Sequence, residues 1–160
     1  MTRVEMTIDR NATGKPIHHF WSLCVGAGRA NEGLRANWLE HLALAAKHCG
    51  FRYCRFHGLF HDDMFVYREL NRRVRYNWQY VDELFDRMLD RGVRPFVELG
   101  FCPRPLATVP DITFWWKGHG SPPNDYGKWT ELGGAFVQHC LARYGSDEVR
   151  QWYFEVWNEP

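Results

Sequence analysis

The 160-residue sequence lacks several patterns that would define its class at once. It has no run of 18 apolar residues, and its first twenty residues hold no apolar segment, so we expect neither a transmembrane helix nor a signal peptide. The formal net charge is +1, without a basic or an acidic run, which argues against nucleic acid or an anionic membrane as the main partner. What remains is an ordinary globular chain, long enough to bury a core.

Cysteine and histidine also lack the spacing of a metal or redox site. The five cysteines are odd in number and contain no CxxC pair, and the eight histidines form neither HExxH nor a mixed Cys/His pattern. We therefore predict no metal and no cofactor. Because the cysteines have mostly apolar neighbours, we expect free buried thiols and a cytoplasmic location. They are Cys24, Cys49, Cys54, Cys102 and Cys140.

Aromatic residues, by contrast, are abundant: they make up 16% of the chain, with eight tryptophans. Two interpretations stay open. Aromatic side chains fill cores, and exposed ones at strand ends can form a platform for flat apolar ligands such as sugar rings.

The periodicity of the apolar residues predicts strands alternating with helices. Strands are predicted over 19–26, 51–58, 94–100 and 152–159, the last stopped by Pro160. Helices are predicted over 38–49, 78–91 and 126–144, each followed by a glycine. This order favours parallel strands, and four such units make half of an eight-stranded (β/α)8 barrel.

The remaining segments are an N-terminal piece and two long loops. We predict that residues 1–16 form a separate surface strand, over 4–9, and a turn, and that residues 17–160 form the main unit. The loops over 59–76 and 101–124 follow strands, at the end of the sheet where α/β proteins place their chemistry. The first of them is expected to contain a small hairpin.

Glu159 is the first candidate for catalysis, because it follows a strand of aromatic residues. Partial desolvation would raise the pKa of such a carboxyl and suit it to general acid catalysis; the alternative is a solvated loop residue. Asn158 can donate a hydrogen bond to a ligand hydroxyl. Regular alternation would turn the two side chains to opposite faces, so both reach one pocket only if the pleat is broken.

His57 ends the second predicted strand and can hydrogen-bond a sugar hydroxyl, although a single histidine can equally be structural. Arg55 lies on the same face of that strand and requires a carboxylate partner. Glu98 and Glu155 are the candidates, and we predict that these groups form a buried ion network.

The run Phe154-Glu155-Val156-Trp157-Asn158-Glu159-Pro160 resembles the Asn-Glu-Pro motif that closes the fourth strand of clan A glycoside hydrolases. From about residue 17 onward, the chain resembles glycoside hydrolase family 39, the β-xylosidases and α-L-iduronidases. The other segments that carry this resemblance are His19-Phe20-Trp21, Val25-Gly26-Ala27-Gly28-Arg29-Ala30, Phe51-Arg52-Tyr53-Cys54-Arg55-Phe56-His57-Gly58, Tyr76-Asn77-Trp78-Gln79-Tyr80, Pro95-Phe96-Val97-Glu98-Leu99 and Phe114-Trp115-Trp116-Lys117-Gly118.

This resemblance implies a fold and a set of roles. The fold is a (β/α)8 TIM barrel, of which the chain would hold roughly the first four strands and three helices. Glu159 would be the general acid/base of a retaining mechanism, and Asn158 would contact the sugar 2-hydroxyl and the nucleophile. His57 would lie in the sugar pocket, with Trp115 and Trp116 in its wall. The family nucleophile is a glutamate on the seventh strand and has no counterpart in this chain.

The resemblance further implies an exo-acting β-xylosidase that releases xylose from the non-reducing end of xylo-oligosaccharides. An α-L-iduronidase-type glycosidase is the first alternative. The second is an inactive carbohydrate-binding fragment, because the nucleophile is not in this sequence. The expected partner is a small oligosaccharide or glycoside, neither nucleic acid nor membrane, and a homo-oligomer of the full-length protein stays open.

Overall fold

A computed structural model describes residues 3–71, 73–110 and 112–159; Pro160, predicted to stop the last strand, lies outside them. The strands and helices are, in chain order, β1 (Cys24–Arg29), α1 (Ala36–Cys49), β2 (Tyr53–His57), β3 (Tyr67–Leu70), β4 (Arg73–Tyr76), α2 (Gln79–Leu89), β5 (Arg94–Glu98), β6 (Ile112–Thr113), β7 (Gly118–His119), α3 (Tyr126–Tyr144), α4 (Ser146–Val149) and β8 (Tyr153–Glu155).

A four-stranded sheet in the order β1-β2-β5-β8 organises the chain, and all three of its strand pairs are parallel. At least one helix separates each strand from the next, which confirms the predicted strand–helix alternation. The two long loops carry small antiparallel pairs. β3 and β4 form the hairpin predicted within 59–76, and β6 pairs with β7 within 101–124.

Helices α2 and α3 follow the apolar patterns that predicted them. In α2, Val81, Leu84, Phe85 and Met88 are buried at the i, i+3, i+4 and i+7 spacing of one helix face. The side chain of Asp125 accepts a hydrogen bond from the Lys128 backbone N–H at 3.0 Å and so caps α3.

The sheet has two different faces. On its two central strands, β2 and β5, the outer face is formed by Cys54, Phe56, Pro95 and Val97, packs against the helices and is buried. Phe154 lies on the same face of the edge strand β8 and is 42% exposed. The inner face of the sheet is formed by the alternate residues Tyr53, Arg55, His57, Phe96, Glu98, Tyr153 and Glu155. The ring centres of Phe85 on α2 and Phe136 on α3 lie 6.3 Å apart, and Phe85 lies 6.4 Å from Phe56. The hydrophobic core therefore lies between the outer face and the helices.

Several predicted boundaries were wrong. Residues 3–9 form no strand and are exposed, because alternation does not make a strand where no neighbour supplies hydrogen bonds. The first strand begins at Cys24 instead of residue 19, after a short 3-10 helix over Phe20–Ser22. The last strand ends at Glu155 instead of residue 159, and α4 was not predicted.

Burial of the cysteines is confirmed for three of the five. Cys54, Cys102 and Cys140 are buried, whereas Cys24 is partly exposed and Cys49, the last residue of α1, is exposed. No helix in the described part of the chain combines the length and apolarity that a membrane crossing requires.

Candidate active site

The final residues of the four parallel strands supply much of the polar chemistry of the site. β1 ends at Arg29, β2 at His57, β5 at Glu98 and β8 at Glu155. Arg29 pairs in register with His57, and Glu98 pairs with Glu155. Because parallel strands end at the same edge of a sheet, the fold brings these four residues together at the edge where barrel enzymes place their active sites.

Arg55 ties the end of β8 to the residues that follow it. Its Nε donates to Oε2 of Glu155 at 2.6 Å, and its Nη2 donates to Oε1 at 2.8 Å. Nη2 also donates to Oδ1 of Asn158 at 2.8 Å. These contacts confirm the predicted pairing of Arg55 with Glu155, but both side chains are about a quarter exposed. Glu98, predicted in the same buried network, forms its hydrogen bond with His57 instead. Because its side-chain oxygen is occupied, Asn158 can offer its NH2 group to a ligand.

The same contacts shift the acidity of the pair. Hydrogen bonds from Arg55 hold the pKa of Glu155 below its usual value, and the bond to Glu155 raises the pKa of Arg55. Both groups therefore stay charged at neutral pH, which keeps the network that positions Asn158 intact.

His57 is held by a buried carboxyl group. Its Nδ1 lies 2.7 Å from Oε2 of Glu98, a residue with no exposed surface. Burial raises the pKa of Glu98, while the hydrogen bond with His57 acts in the opposite direction. The side chain of His57 remains 27% exposed and is therefore accessible to a ligand.

Glu159 lies four residues beyond the end of β8, outside the sheet. The Glu155 carbonyl still accepts a hydrogen bond from the Leu99 backbone N–H at 2.9 Å, and the regular pleat is lost after it. Glu159 has a φ of 47°, in the left-handed region, and its side chain is exposed. The pleat is thus broken before Asn158 and Glu159. The expected partial desolvation of Glu159 is not observed, and no hydrogen bond or ion pair of its carboxylate is found within the described ranges.

The loop over 114–118 brings Trp115 and Trp116 to the same edge of the sheet. The ring of Trp116 lies edge-on to Phe101, with centres 4.9 Å apart, and Phe101 lies 5.6 Å from His57. Trp115 is 73% exposed, so its ring is accessible from solvent. Of the two tryptophans predicted to form a pocket wall, Trp116 therefore lies close to His57, through Phe101, and Trp115 precedes it in the same loop.

A second charged cluster, at the end of β1, was missed by the sequence reasoning. The guanidinium of Arg29 lies 5.1 Å from the ring centre of Trp115 and 5.4 Å from that of Trp116. Arg29 also pairs with Asp63, whose Oδ1 lies 2.8 Å from Nδ1 of His61. Burial alone would raise the pKa of Asp63, but hydrogen bonds from His61 and Arg29 hold it below its usual value. In the sequence, the polar residues after the second predicted strand are visible, but nothing there indicates that they contact the end of β1.

Trp116 also lines a cavity of about 530 Å³, together with His61, Asp62, Lys117 and His119. Nδ1 of His119 is buried there and has no hydrogen-bond partner in the part of the chain that the structure covers. Burial lowers the pKa of His119. No group of three or more potential metal ligands occurs among residues 3–71, 73–110 and 112–159. The volume is that of a small-molecule site, and Trp116 is shared between this cavity and the region of His57.

Known proteins resemble this chain in sequence. The chain is 46% identical over 144 residues to a β-xylosidase of Geobacillus stearothermophilus, covering 88% of this chain and 29% of that protein. It is 38% identical over 158 residues to a β-xylosidase of Caldicellulosiruptor saccharolyticus, covering 98% and 32%. A mouse α-L-iduronidase is more distant, at 26% identity over 78% of this chain and 18% of that protein.

Among solved structures, a monomeric β-xylosidase from Caulobacter crescentus CB15 superposes with a TM-score of 0.86 at 40% identity, covering 92% of this chain and 30% of that one. The chain thus spans about three tenths of the length of the two β-xylosidases it matches. Its parallel sheet and helices match the N-terminal part of a TIM barrel, which confirms the predicted fold class. The model of the family described as Glycosyl hydrolases family 39 matches residues 4–160, and the chain belongs to that family.

Proposed function

We propose that the whole protein is a retaining glycosidase that releases xylose from the non-reducing end of short β-xylosides. The observation that carries this proposal is the position of Asn158 and Glu159. They follow β8 at the edge where all four strands end, and Arg55 holds Asn158 at 2.8 Å. The similarity to two β-xylosidases supports xylose as the sugar, because the iduronidase relative is more distant.

In this proposal Glu159 is the general acid/base. Its carboxyl protonates the glycosidic oxygen as the bond to the leaving group breaks, and its carboxylate later takes a proton from the water that releases the sugar. The exposed position of Glu159 leaves it accessible to a substrate. Asn158 donates from its NH2 group to the sugar 2-hydroxyl, an interaction that strengthens in glycosidase transition states.

A retaining mechanism also needs a nucleophilic carboxylate about 5–5.5 Å from the acid. Glu98 is buried against His57, and Glu155 is held by both Nε and Nη2 of Arg55. Neither carboxylate is free to attack a sugar carbon. We therefore assign no nucleophile within this chain and propose a glutamate on a later strand of the barrel, as the family resemblance implies.

Binding of the sugar is assigned to His57, Trp115 and Trp116. The exposed ring of Trp115 offers a flat apolar surface to a sugar ring. The accessible edge of His57 can hydrogen-bond a hydroxyl. The cavity beside Trp116 has room for a further sugar unit or an aglycone. A cytoplasmic location and a homo-oligomer stay predictions.

The test is Glu159→Gln in the whole protein. Substrates with poor leaving groups need the acid, so their turnover should fall about 10²–10⁴-fold, whereas activated aryl β-xylosides should lose far less at the bond-breaking step. Glu40→Gln, an exposed carboxylate change on α1, is the matched control and should leave both substrates unaffected. An equal loss on both substrates would remove the acid role from Glu159.

The competing proposal is a carbohydrate-binding fragment without turnover. The 160-residue chain alone should not cleave an aryl β-xyloside, because it lacks an assigned nucleophile. Turnover by this chain that disappears in Glu159→Gln would show that the nucleophile lies within residues 1–160. Absence of turnover in the whole protein, with xylose still bound, would favour the binding role.

A further inference from the structure

Glu98 is a buried carboxyl group for which the proposed mechanism has no use. It is 0% exposed, and its Oε2 lies 2.7 Å from Nδ1 of His57. Its other oxygen, Oε1, is buried and has no hydrogen-bond partner within the described ranges. A buried carboxyl with only one partner is costly to retain, which suggests that it is kept for what it does to that partner.

Gly100 fixes where this carboxyl group can lie. A Cβ atom at position 100 would lie 1.9 Å from Oε1 of Glu98 and 3.1 Å from its Cδ, far inside van der Waals contact. Gly100 is not among the residues with a positive φ, so an alanine there is opposed by lack of space and not by the backbone. The carboxyl is therefore enclosed between Gly100 and His57 and cannot itself touch a sugar.

The pairing determines the role of the free nitrogen of His57. The imidazole and the carboxyl group together carry either two protons or one. With two, one proton lies between Oε2 and Nδ1, whichever partner holds it, and the other is on Nε2, which is then a hydrogen-bond donor. With one, the proton stays on Nδ1 and is donated to the carboxylate, so Nε2 becomes an acceptor. The other charged groups that face Glu98 are Arg55 on β2 and Glu155 on β8.

We propose that Glu98 is a positioning residue that acts through His57: its carboxyl group holds Nδ1 and thereby presents Nε2 to a hydroxyl of the bound sugar. This inference rests on the proposed function, in which His57 contacts the sugar. Nε2 has no hydrogen-bond partner within the described ranges, so it is available for that contact. Gly100 contributes to this arrangement, because the absence of a side chain at position 100 leaves room for the carboxyl group of Glu98.

The kinetic test uses a cycle of variants in the whole protein. Glu98→Gln should lower kcat/KM for an aryl β-xyloside about 10-fold, because its uncharged amide oxygen holds Nδ1 of His57 more weakly than a carboxylate does. His57→Asn keeps a donor toward Glu98 but has no Nε2. In that background, Glu98→Gln should cost less than about twofold, because a positioning residue has no effect once its target is gone.

Glu148→Gln is the matched control. Like Glu98, Glu148 is a carboxylate with a nitrogen partner on the sheet, but it is 27% exposed: it binds Arg94, the first residue of β5, at 2.8 Å. This variant should leave kcat/KM unchanged in both backgrounds. If Glu98→Gln costs as much in His57→Asn as in the wild type, or if Glu98→Gln has no effect at all, the positioning role is wrong.

A second measurement does not depend on activity. The proton between Nδ1 of His57 and Oε2 of Glu98 should give a downfield imidazole N–H resonance in the NMR spectrum. The resonance should persist in Glu148→Gln, move upfield in Glu98→Gln, where an uncharged acceptor replaces the carboxylate, and be lost in Gly100→Ala, where the new methyl group displaces the carboxyl. Persistence in Gly100→Ala, or absence from the folded wild type, would overturn the proposal. If the resonances behave as expected but no glycoside is cleaved, the proposed function fails and the His57–Glu98 pairing stands.

Discussion

The outer and inner faces of the sheet are built from alternate residues of the same strands, yet they differ sharply in burial and chemistry. On the outer face, Cys54, Phe56 and Val97 are at most 1% exposed. On the inner face of the same two strands, Tyr53, Arg55 and Phe96 are partly exposed, and charged residues occupy the strand ends, of which Glu98 is buried. Side chains two positions apart on a strand lie on the same face, and neighbouring ones lie on opposite faces. Successive residues of one strand therefore belong alternately to the core and to the face that carries the site.

The difference shows where stability and chemistry come from. The outer face gains free energy by burying apolar area against α2 and α3, which is the main favourable contribution to folding. The inner face holds ion pairs and hydrogen-bonded side chains, and such partly exposed pairs contribute little net stability. In a TIM barrel the inner face lines the interior, and its upper end forms the active site. The two faces should therefore respond differently to the same kind of substitution.

The largest expected effect comes from shortening a side chain packed against the outer face. Phe85→Ala should lower the free energy of unfolding by about 3–5 kcal/mol, because Phe85 is fully buried and packs edge-on to Trp152 at 5.3 Å. The inner-face control, Phe96→Ala, should cost less than half as much because Phe96 is only partly buried. Urea unfolding of both variants checks this, and equal losses would contradict the assignment of the core to one face.

The elements behind this comparison were largely predictable from the sequence. The apolar spacing in α2 and the glycines after the helices reflect local constraints, since Gly50 and Gly92 adopt left-handed φ values of 76° and 70°. The carboxyl edge follows from parallel strands, so Glu159, Asn158 and His57 could be named from the sequence and the family motif. That Asn158 is held by Arg55 had to be seen in the structure.

What the sequence did not reveal depends on contacts between distant segments. The Arg29–Asp63 pair joins residues 34 positions apart, and no periodicity reports such a meeting. The early end of β8 has a similar cause: aromatic content predicts a strand through residue 159, but strands persist only while a neighbour offers hydrogen bonds. Its neighbour β5 ends at Glu98, which pairs with Glu155.

The next effect separates stability from function on the inner face. Arg55→Met and Arg94→Met each remove a guanidinium that binds a carboxylate with two hydrogen bonds. Each should cost about 1 kcal/mol of stability, as expected for pairs that are a quarter to a third exposed. Only Arg55→Met should also lower kcat/KM, about 10-fold to 100-fold, because it releases Asn158.

Urea unfolding and steady-state kinetics of both arginine variants in the whole protein make this measurement. If Arg94→Met lowers kcat/KM as much as Arg55→Met, the kinetic loss reflects a general disturbance of the sheet. Arg55 would then have no specific role in the site beyond its contribution to stability.

A smaller effect should appear in the pH dependence of stability, with opposite signs at two paired residues. Arg55 lowers the pKa of Glu155, so the stability from this carboxylate is present above the usual glutamate pKa and lost as the pH falls. Burial raises the pKa of Glu98, so its contribution is full below the usual pKa and lost as the pH rises through the raised value.

Unfolding of Glu155→Gln and Glu98→Gln, compared with the wild type from about pH 4 to pH 8, tests these signs. The wild type should gain stability over Glu155→Gln as the pH rises, and lose stability relative to Glu98→Gln. If the stability difference from the wild type changes with pH in the same direction for both variants, the pKa values of Glu155 and Glu98 are not shifted in opposite directions.

The smallest effects come from the cysteines, which report on each face without disturbing it. Cys54 lies on the outer face, and burial raises the pKa of its thiol to about 12, so alkylation near pH 8 should modify it only on unfolding. Cys24, near Arg55 on the inner side of β1, is partly exposed and should react slowly in the native chain. Cys49 is exposed at the end of α1 and should react fastest, and Cys49→Ser should change stability by less than about 0.5 kcal/mol.

Comparing this chain with the whole protein then tests what covers the inner face. If the remaining strands close a barrel over it, Cys24 should become protected in the whole protein, whereas Cys49 should keep its reactivity because helices surround the barrel. Mass spectrometry of the alkylated peptides gives both rates in one sample, with Cys49 as the internal control. Equal reactivity of Cys24 in the two proteins would mean that the inner face stays open, and the sugar site would then need a wall from another source.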